Sequence, residues 1–344
     1  MHGSGPGLKS GGFVGAAVLA VLMLAGSAGA LGAETREIRM GKGVGIPFLP
    51  LAVMKEKRLI ETRARADGLG EVQVSWTQLG TGAAISEALL TGNIDISSGG
   101  LGPFITLWAR TKGNLDVKGV AAASSIPFSL TTTNPAIKSI RDFTARDRIA
   151  VPAIKVSAQA ILLQMAAEQA LGPGKHDALD YLTVSMAPPD AHAALMSGGT
   201  EITANFTGPP FMYQQLDSGK ARRILTSYDI LGGPANFIVL STTGRFHDAN
   251  PRMLAAVLAA LEEANAFIAA QPRAAAEIYI RDENSRLSVD FVERMIRDAE
   301  TVFTTTPQGI EKFAAFMHRI GSIREPPLSW KDLFFAEIHA APGN

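Results

Sequence analysis

Residues 74–100 read VSWTQLGTGAAISEALLTGNIDISSGG, and this stretch decides the fold. Apolar and polar residues alternate over 72–76, which is typical of a β-strand. A turn of small residues leads into a helix over 83–90. The apolar run 94–96 predicts a second, buried strand, and the small residues 97–100 predict a loop after it. A strand, a helix and a strand in this order predict an α/β fold.

The same unit of strand, small-residue turn and helix recurs at least five times along the chain. A second set of units starts at Phe128 and includes a strand over 201–204. After Pro251 the apolar residues recur at helical spacing, which predicts a largely helical C-terminal part. Such alternation favours layered α/β domains with mostly parallel sheets. No repeat of fixed period is visible, which argues against a solenoid.

The first 33 residues have the three parts of a secretory signal peptide. A short polar start with Lys9 precedes an almost wholly apolar run, Phe13–Leu24, and small residues follow. The run has about a dozen residues, fewer than the roughly 20 that span a bilayer as a permanent helix. We therefore expect residues 1–33 to be removed after export, with cleavage near Ala30 or Ala33, and the mature protein to work in the periplasm. A retained N-terminal anchor is the alternative.

The charges balance, with 32 lysine and arginine residues against 32 aspartate and glutamate residues among 344. A near-neutral chain without a basic run is a poor partner for nucleic acid or for an anionic membrane, so we expect neither. The chain has no cysteine, which excludes disulfides, thiolate catalysis and thiolate metal sites. Its length suits two domains, each with a core of its own.

Catalytic motifs are hard to find in this sequence. The six histidines include no pair at the i, i+4 spacing of a zinc-binding helix, and no carboxylate cluster accompanies them. There is no G-x-S-x-G elbow. Gly41–Gly45 resembles half of a dinucleotide fingerprint, but Ile46 breaks the required glycine spacing. We expect no enzyme activity, no cofactor and no metal.

Small, hydroxyl-rich turns follow several predicted strands. They are Gly45–Pro50, Leu79–Gly82, Ser97–Gly100, Ser124–Phe128, Ala153–Gln159 and Asn205–Pro209. In an open α/β sheet, ligands bind outside the carboxyl ends of the strands, where helix N-termini offer unpaired N–H groups to small anions. Ser157 suits a helix N-cap, and its hydroxyl could also face a ligand.

Few charged or aromatic residues lie near these turns. Lys42 and Lys155 are the only cations close to them, and Phe48, Phe128 and Phe206 are the aromatic residues. The rings have two interpretations, as packing between turn and helix or as an apolar wall for an organic ligand. The scarcity of cations argues against a multiply charged ligand.

The order of these segments resembles the solute-binding proteins of the nitrate/sulfonate/taurine class of ABC importers. The matching segments are LAVMKEKRLIE (51–61), residues 74–100, NPAIKSIRDFTARDRIAVP (134–152), Ser157 at the start of a helix, PPDAHAALMSGG (188–199), FTGPP (206–210) and FIVLSTTGRFHDANPRMLAAVLAALEEANAFI (237–268). The likeness covers roughly residues 36–280. Each motif is weak alone, whereas their common order is fairly specific. One departure is GTEITA at 199–204, where the family often has G-x-I-D-A.

The resemblance implies a two-lobed α/β fold, the type II fold of periplasmic binding proteins, with a hinge and a ligand cleft between the lobes. We expect one lobe over residues 34–125 and 236–344 and the other over 126–235. The chain would cross between the lobes near Ser124–Ser129 and again near Ile230–Asn236. The two lobes would swing shut over the ligand.

The resemblance also implies a ligand among small oxyanions, alkylsulfonates, bicarbonate or pyrimidine precursors. We expect a monomer that captures an anionic or zwitterionic solute, similar to a sulfonate, taurine or nitrate, and delivers it to the permease and ATPase subunits of an ABC importer. Carried over by position, the ligand-binding residues are Phe48, Thr81, Gly82, Ser98, Gly99, Ser157, Asn205 and Phe206. Asp229 lies near the second crossing, where it could face a ligand amine.

Two other functions stay open at this point. A related branch of the family binds a pyrimidine precursor of thiamine or makes it from a histidine of its own. A periplasmic sensor domain that signals to a separate kinase would have the same fold. A reactive histidine beside a cofactor site would favour the enzyme, and a dedicated kinase partner would favour the sensor.

Overall fold

A computed structural model describes residues 1–5, 7 and 34–344 of this protein. The predicted signal peptide, including its cleavage near Ala30 or Ala33, lies almost wholly outside the described residues. In the described part the strands are β1 Glu37–Lys42, β2 Gln73–Gln78, β3 Ser97–Gly100, β4 Lys118–Ser125, β5 Ser129–Thr132, β6 Ile149–Val151, β7 Thr183–Ser185, β8 Ala204–Thr207, β9 Arg222–Thr226 and β10 Asn236–Thr242.

The first sheet region joins the N-terminal strands with one strand from far along the chain. β1 pairs with β2 in parallel, and β10 lies between β3 and β4, antiparallel to both. A parallel bridge from Met40 to Ile96 connects the two groups of strands. This sheet region therefore draws on residues 37–125 and 236–242.

The second sheet is continuous in sequence and has the strand order β7-β6-β8-β5-β9. β6 runs parallel to β7 and β8, whereas β5 runs antiparallel to β8 and β9. All its strands lie within residues 129–226. The expected mostly parallel sheets are therefore mixed, because β5 and β10, the first strand after each predicted crossing, run against their neighbours.

Helices cover both sheet regions and form the C-terminal part. They are α1 Leu49–Glu56, α2 Leu59–Ala66, α3 Gly82–Leu90, α4 Leu101–Thr111, α5 Ala158–Leu171, α6 Pro188–Ser197, α7 Phe211–Asp217, α8 Ser227–Leu231, α9 Gly244–Ala249, α10 Pro251–Ala270, α11 Pro272–Asp282, α12 Val289–Ile296 and α13 Ile310–Arg319. Among the described residues, α10 alone is long and apolar enough to cross a membrane. Its stripe from Met253 to Ile268 is buried, as in the core helix of a globular domain.

Two predicted strands are displaced along the chain. The strand expected at 94–96 lies at Ser97–Gly100, and the one expected at 201–204 lies at Ala204–Thr207. In both places residues of a predicted loop pair with neighbouring strands, since Ser98 pairs with Leu240 and Phe206 with Leu130. Ladder pairing with distant strands outweighs the local preference of small residues for turns.

Candidate functional site

A cleft of about 100 Å³ lies where ends of strands from both sheet regions meet the starts of several helices. From the segments around the first sheet region come Gly43, Val44, Phe48, Gly82, Gly100 and Phe237. The segments around the second sheet contribute Phe128, Ser157, Gln159, Thr207, Pro209 and Phe211. The cleft is thus shared between parts of the chain that are distant in sequence.

Three helices begin at the wall of this cleft. Thr81 caps α3, and its hydroxyl accepts a hydrogen bond from the Ala84 N–H at 3.2 Å. Ser157 caps α5 in the same way, with the Ala160 N–H at 3.2 Å. α4 begins after Gly100, which also lines the cleft. The first N–H groups of a helix have no partner within it and carry partial positive charge, so these ends suit a negatively charged or polar group.

Phenylalanine rings form much of the remaining wall. The rings of Phe128 and Phe237 lie 3.8 Å apart between centroids with a 30° interplanar angle. Glycines provide the space for these rings. A Cβ at Gly208 would lie 2.5 Å from the Phe237 ring, and one at Gly43 would lie 2.5 Å from the Phe48 ring. Any larger residue at either glycine would displace a ring from the wall.

No charged side chain lines the cleft in the part of the chain that the structure describes. Lys42, which the sequence places near the turns, is 1% exposed, and its Nζ lies 2.6 Å from Asp282 and 2.8 Å from Glu283. The side chain of Lys155 is 66% exposed and lies 3.8 Å from Asp180. Both cations near the turns are therefore directed to carboxylates outside the cleft.

Three of the residues expected to bind ligand, Phe48, Gly82 and Ser157, line the cleft. Thr81 lines an adjoining groove. Ser98 and Gly99 lie in β3, two residues and one residue before Gly100. The buried Ser98 hydroxyl donates to the Gly41 carbonyl at 2.6 Å, and neither residue lines the cleft.

The other three expected residues also lie outside the cleft lining. Asn205 is buried within β8, and its side-chain Nδ2 has no hydrogen-bond partner. Phe206 is fully buried and contacts the edge of the Phe128 ring, with 6.4 Å between centroids. The Asp229 carboxylate accepts hydrogen bonds from the N–H and hydroxyl of Thr226, both at 2.8 Å, which forms a capping box at the start of α8.

Sequence reasoning did not single out Gln159, Thr207, Phe211 and Phe237, all of which line the cleft. Gln159 and Thr207 are 7% and 2% exposed, and neither side chain hydrogen-bonds to another described residue. Both lie within turns that the sequence predicts to bind ligand, so their positions indicate that they belong to the site. Phe211 follows Pro209 and Pro210, Phe237 comes three residues after Pro234, and only long-range packing brings both to the same cleft.

The groove beside the cleft has a volume of about 280 Å³ and lies between α3, α4 and the segment 152–157. Four residues line both spaces, namely Gly82, Pro103, Pro152 and Ser157. A close contact lies next to this shared wall, since a Cβ at Gly102 would stand 3.2 Å from the Val156 carbonyl oxygen and from the Ala158 nitrogen. The start of α4 thus touches the start of α5.

Replacement of Ser157 by alanine is expected to lower the free energy of unfolding by about 1 kcal/mol, because the helix loses its cap. The hydroxyl accepts from the Ala160 N–H and donates to the Ala153 carbonyl at 2.7 Å, so two bonds disappear together. Urea denaturation measures the change. Ser157→Thr, which keeps a capping hydroxyl, is the control. Equal stability of Ser157→Ala and the native protein would contradict the capping role.

Several solved structures with the same architecture are periplasmic binding proteins. The alkanesulfonate-binding protein SsuA from Xanthomonas axonopodis pv. citri, solved bound to MOPS, is 19% identical with a TM-score of 0.68, over 89% of this chain and 99% of that one. The aliphatic sulphonate binding protein SsuA from Escherichia coli is 20% identical with a TM-score of 0.66, over 88% and 92%. The nitrate-binding protein NrtA from Synechocystis PCC 6803 is 16% identical with a TM-score of 0.66, over 90% and 86%.

These similarities show the fold, which is the two-lobed α/β fold of periplasmic binding proteins, as the sequence resemblance implied. No curated protein matches the chain by sequence. The profile of the NMT1-like family matches residues 31–280, which is most of the chain. This protein belongs to the NMT1-like family.

Proposed function

We propose that this protein is the extracytoplasmic substrate-binding component of an ABC importer. It captures a small anionic or zwitterionic solute of the sulfonate, taurine or nitrate kind and delivers it to a membrane permease. The observation that best supports this function is the cleft itself, whose wall combines three helix N-termini with segments from both sheet regions. Main-chain N–H groups at such ends bind small anions.

The division into lobes is part of this proposal, with one lobe over 34–125 and 236–344 and the other over 126–235. A side chain at the first proposed crossing contacts the second crossing and the helix just before it. The Ser125 hydroxyl donates to the Ala235 carbonyl at 2.9 Å and lies 3.1 Å from the Tyr228 hydroxyl. Two short crossing segments tied side by side suit a hinge, about which the lobes would close over the solute.

The location and partners follow from the same function. We propose a periplasmic protein with its signal peptide removed, which acts as a monomer and docks on the permease and ATPase subunits. The solute would leave chemically unchanged, since no acid, base or metal-binding cluster lines the cleft within the described residues. No specific observation favours the thiamine-pyrimidine enzyme or the kinase-linked sensor over this function.

Thermal unfolding of the mature protein with a panel of solutes tests the proposal. A solute at 100 times its Kd stabilises the folded state by about 2.7 kcal/mol, which raises the Tm by about 5 °C. The panel contains nitrate, taurine, methanesulfonate, MOPS, benzenesulfonate, benzoate and bicarbonate, each against sodium chloride of equal ionic strength. We expect at least one of them to raise the Tm and to be recovered unchanged. If no solute of the panel raised the Tm, or if a bound solute were converted to a product, the proposal would be wrong.

A further inference from the structure

We infer that the cleft is built for an aromatic monoanion, a single carboxylate or sulfonate attached to one flat ring. This inference rests on the proposed solute-binding function and narrows its ligand class. The charge of the wall, its buried polar side chains and its phenylalanine rings each point to it.

The charge of the wall excludes some members of the expected class. A zwitterion such as taurine brings an ammonium group, and an enclosed ammonium needs a carboxylate partner. No carboxylate lines the cleft among the described residues. Asp229, the one acidic candidate from the sequence, already accepts two hydrogen bonds from Thr226. An amino group held inside the cleft would therefore leave its positive charge unpaired, since the carboxylate nearest to it in the adjoining groove, Glu87, is exposed to solvent.

The buried polar side chains mark the place of one head group. Gln159 and Thr207 line the cleft at 7% and 2% exposure, and neither side chain has a hydrogen-bond partner among the described residues. Gln159 stands in the first turn of α5, just after the Ser157 cap, and Thr207 ends β8. The polar atoms of both side chains still reach the solvent of the cleft, so a ligand that covers them has to supply the hydrogen bonds that water makes. Together with the helix N-terminus, these groups suit one anionic head without a formal counter-charge.

The aromatic wall defines the rest of the ligand. Phe128 and Phe237 already stack on one another, and the missing side chains at Gly43 and Gly208 let the rings of Phe48 and Phe237 occupy their positions. Aromatic faces and edges pack favourably against another ring. A nitrate ion is polar on every side and would lose its hydration against these rings. The wall thus favours a ligand whose far side is flat and apolar.

The size of the cleft limits the ring system. An apolar cavity of about 150 Å³ holds one benzene molecule. The cleft offers about 100 Å³, and the adjoining groove of about 280 Å³ shares four of its wall residues. The cleft alone is smaller than such a cavity, so one ring would fill the cleft and reach into the adjoining groove.

Calorimetric titration of the mature protein with paired ligands tests this inference. The probes are benzenesulfonate against methanesulfonate, which share the head group, and benzoate against nitrate and taurine. We expect benzenesulfonate to bind at least tenfold more tightly than methanesulfonate, and taurine to bind more weakly than either. If methanesulfonate, nitrate or taurine bound as tightly as the aromatic probes or more tightly, the aromatic ligand class would be wrong. The solute-binding function would still stand. If no probe bound and no solute of the thermal panel raised the Tm, both the aromatic ligand class and the solute-binding function would be wrong.

Two variants test separately how the cleft binds the aromatic ring and the head group of the ligand. Phe237→Leu keeps an apolar side chain without the ring, so it is expected to reduce benzenesulfonate affinity about tenfold and to leave methanesulfonate nearly unchanged. Thr207→Val removes the hydroxyl at constant shape, so it is expected to weaken both sulfonates by a similar factor. Phe267→Leu, a partly buried ring outside the cleft, is the control. If Phe237→Leu weakened both sulfonates equally, the ring would have no part in selecting the ligand.

Discussion

Replacement of Lys42 by methionine is expected to lower the free energy of unfolding by about 3–5 kcal/mol, because it leaves buried carboxylates without their cation. The Lys42 side chain is 2% exposed, and its partners Asp282 and Glu283 are 4% and 10% exposed. Lys55, on α1, also pairs with Asp282 but is half exposed, so it compensates only part of the loss. Urea denaturation at pH 7 measures the effect.

The pH dependence of the unfolding free energy shows whether the lost ion pair causes the destabilisation in this variant. Burial acts to raise the pKa of Asp282, but the ion pair with Lys42 and the hydrogen bond from Lys55 outweigh it and hold that pKa below its usual value. A lowered carboxylate pKa stabilises the fold above the unfolded pKa of about 4 and loses this effect as the pH falls through the folded pKa. The difference between Lys42→Met and the native protein should therefore shrink below about pH 4.

The matched control for this variant is Lys155→Met. Lys155 lies near the same predicted turns in sequence, but its side chain is 66% exposed and its Nζ lies 3.8 Å from Asp180. An exposed pair of this kind contributes about 0–1 kcal/mol. A loss below about 1 kcal/mol for Lys42→Met, or one that stayed constant from pH 7 to well below pH 4, would show that the buried cluster is not electrostatically coupled.

Replacement of Gly102 by valine is expected to weaken ligand binding about 10- to 100-fold, because overpacking a close contact costs about 1–3 kcal/mol. A Cβ at this position would stand 3.2 Å from the Val156 carbonyl oxygen and 3.3 Å from the Ala158 Cα, before the two methyl groups are added. These atoms belong to backbone, which yields less readily than a flexible side chain. Under the proposed lobe boundaries, this contact lies between lobes, so the variant disfavours the closed form.

The measurement is the Kd of the best ligand from the thermal panel, together with the Tm of the unliganded protein. The Tm should stay near the native value, since an open form relieves the crowding. Gly199→Val is the control, because a Cβ at Gly199 meets nothing within 4 Å. Native affinity in Gly102→Val would show that α4 and α5 need not approach each other for binding.

The helix starts of this protein could be predicted from local sequence. Thr81 and Ser157 each precede an apolar helix, and each accepts a hydrogen bond from the N–H three residues on. A capping side chain acts within one turn of chain, so its residue type is informative without tertiary context. The α/β class and the family could be predicted for the same reason, from the order of many such short signals.

The partners of the buried charges and the positions of the short strands could not be predicted from local sequence. Lys42 lies beside the predicted turns in sequence, yet its partners are 240 or more residues away at Asp282 and Glu283. The local pattern predicts loops at Ser98 and Phe206, yet both residues pair with strands elsewhere in the chain. Which partner a buried cation or a short strand takes depends on packing between distant segments, which no local pattern records.

The sequence by itself determined the alternation of strands and helices, the caps and the family, because period and capping act over a few neighbouring residues. The tertiary structure alone decided which residues share the cleft. Phe128 and Phe237 are more than a hundred residues apart, yet their rings stack at 3.8 Å because Gly208 leaves the space for one of them. That contact depends on close packing between distant segments. The pairing of Lys42 with Asp282, which directs its side chain away from the cleft, also joins segments that are distant in sequence.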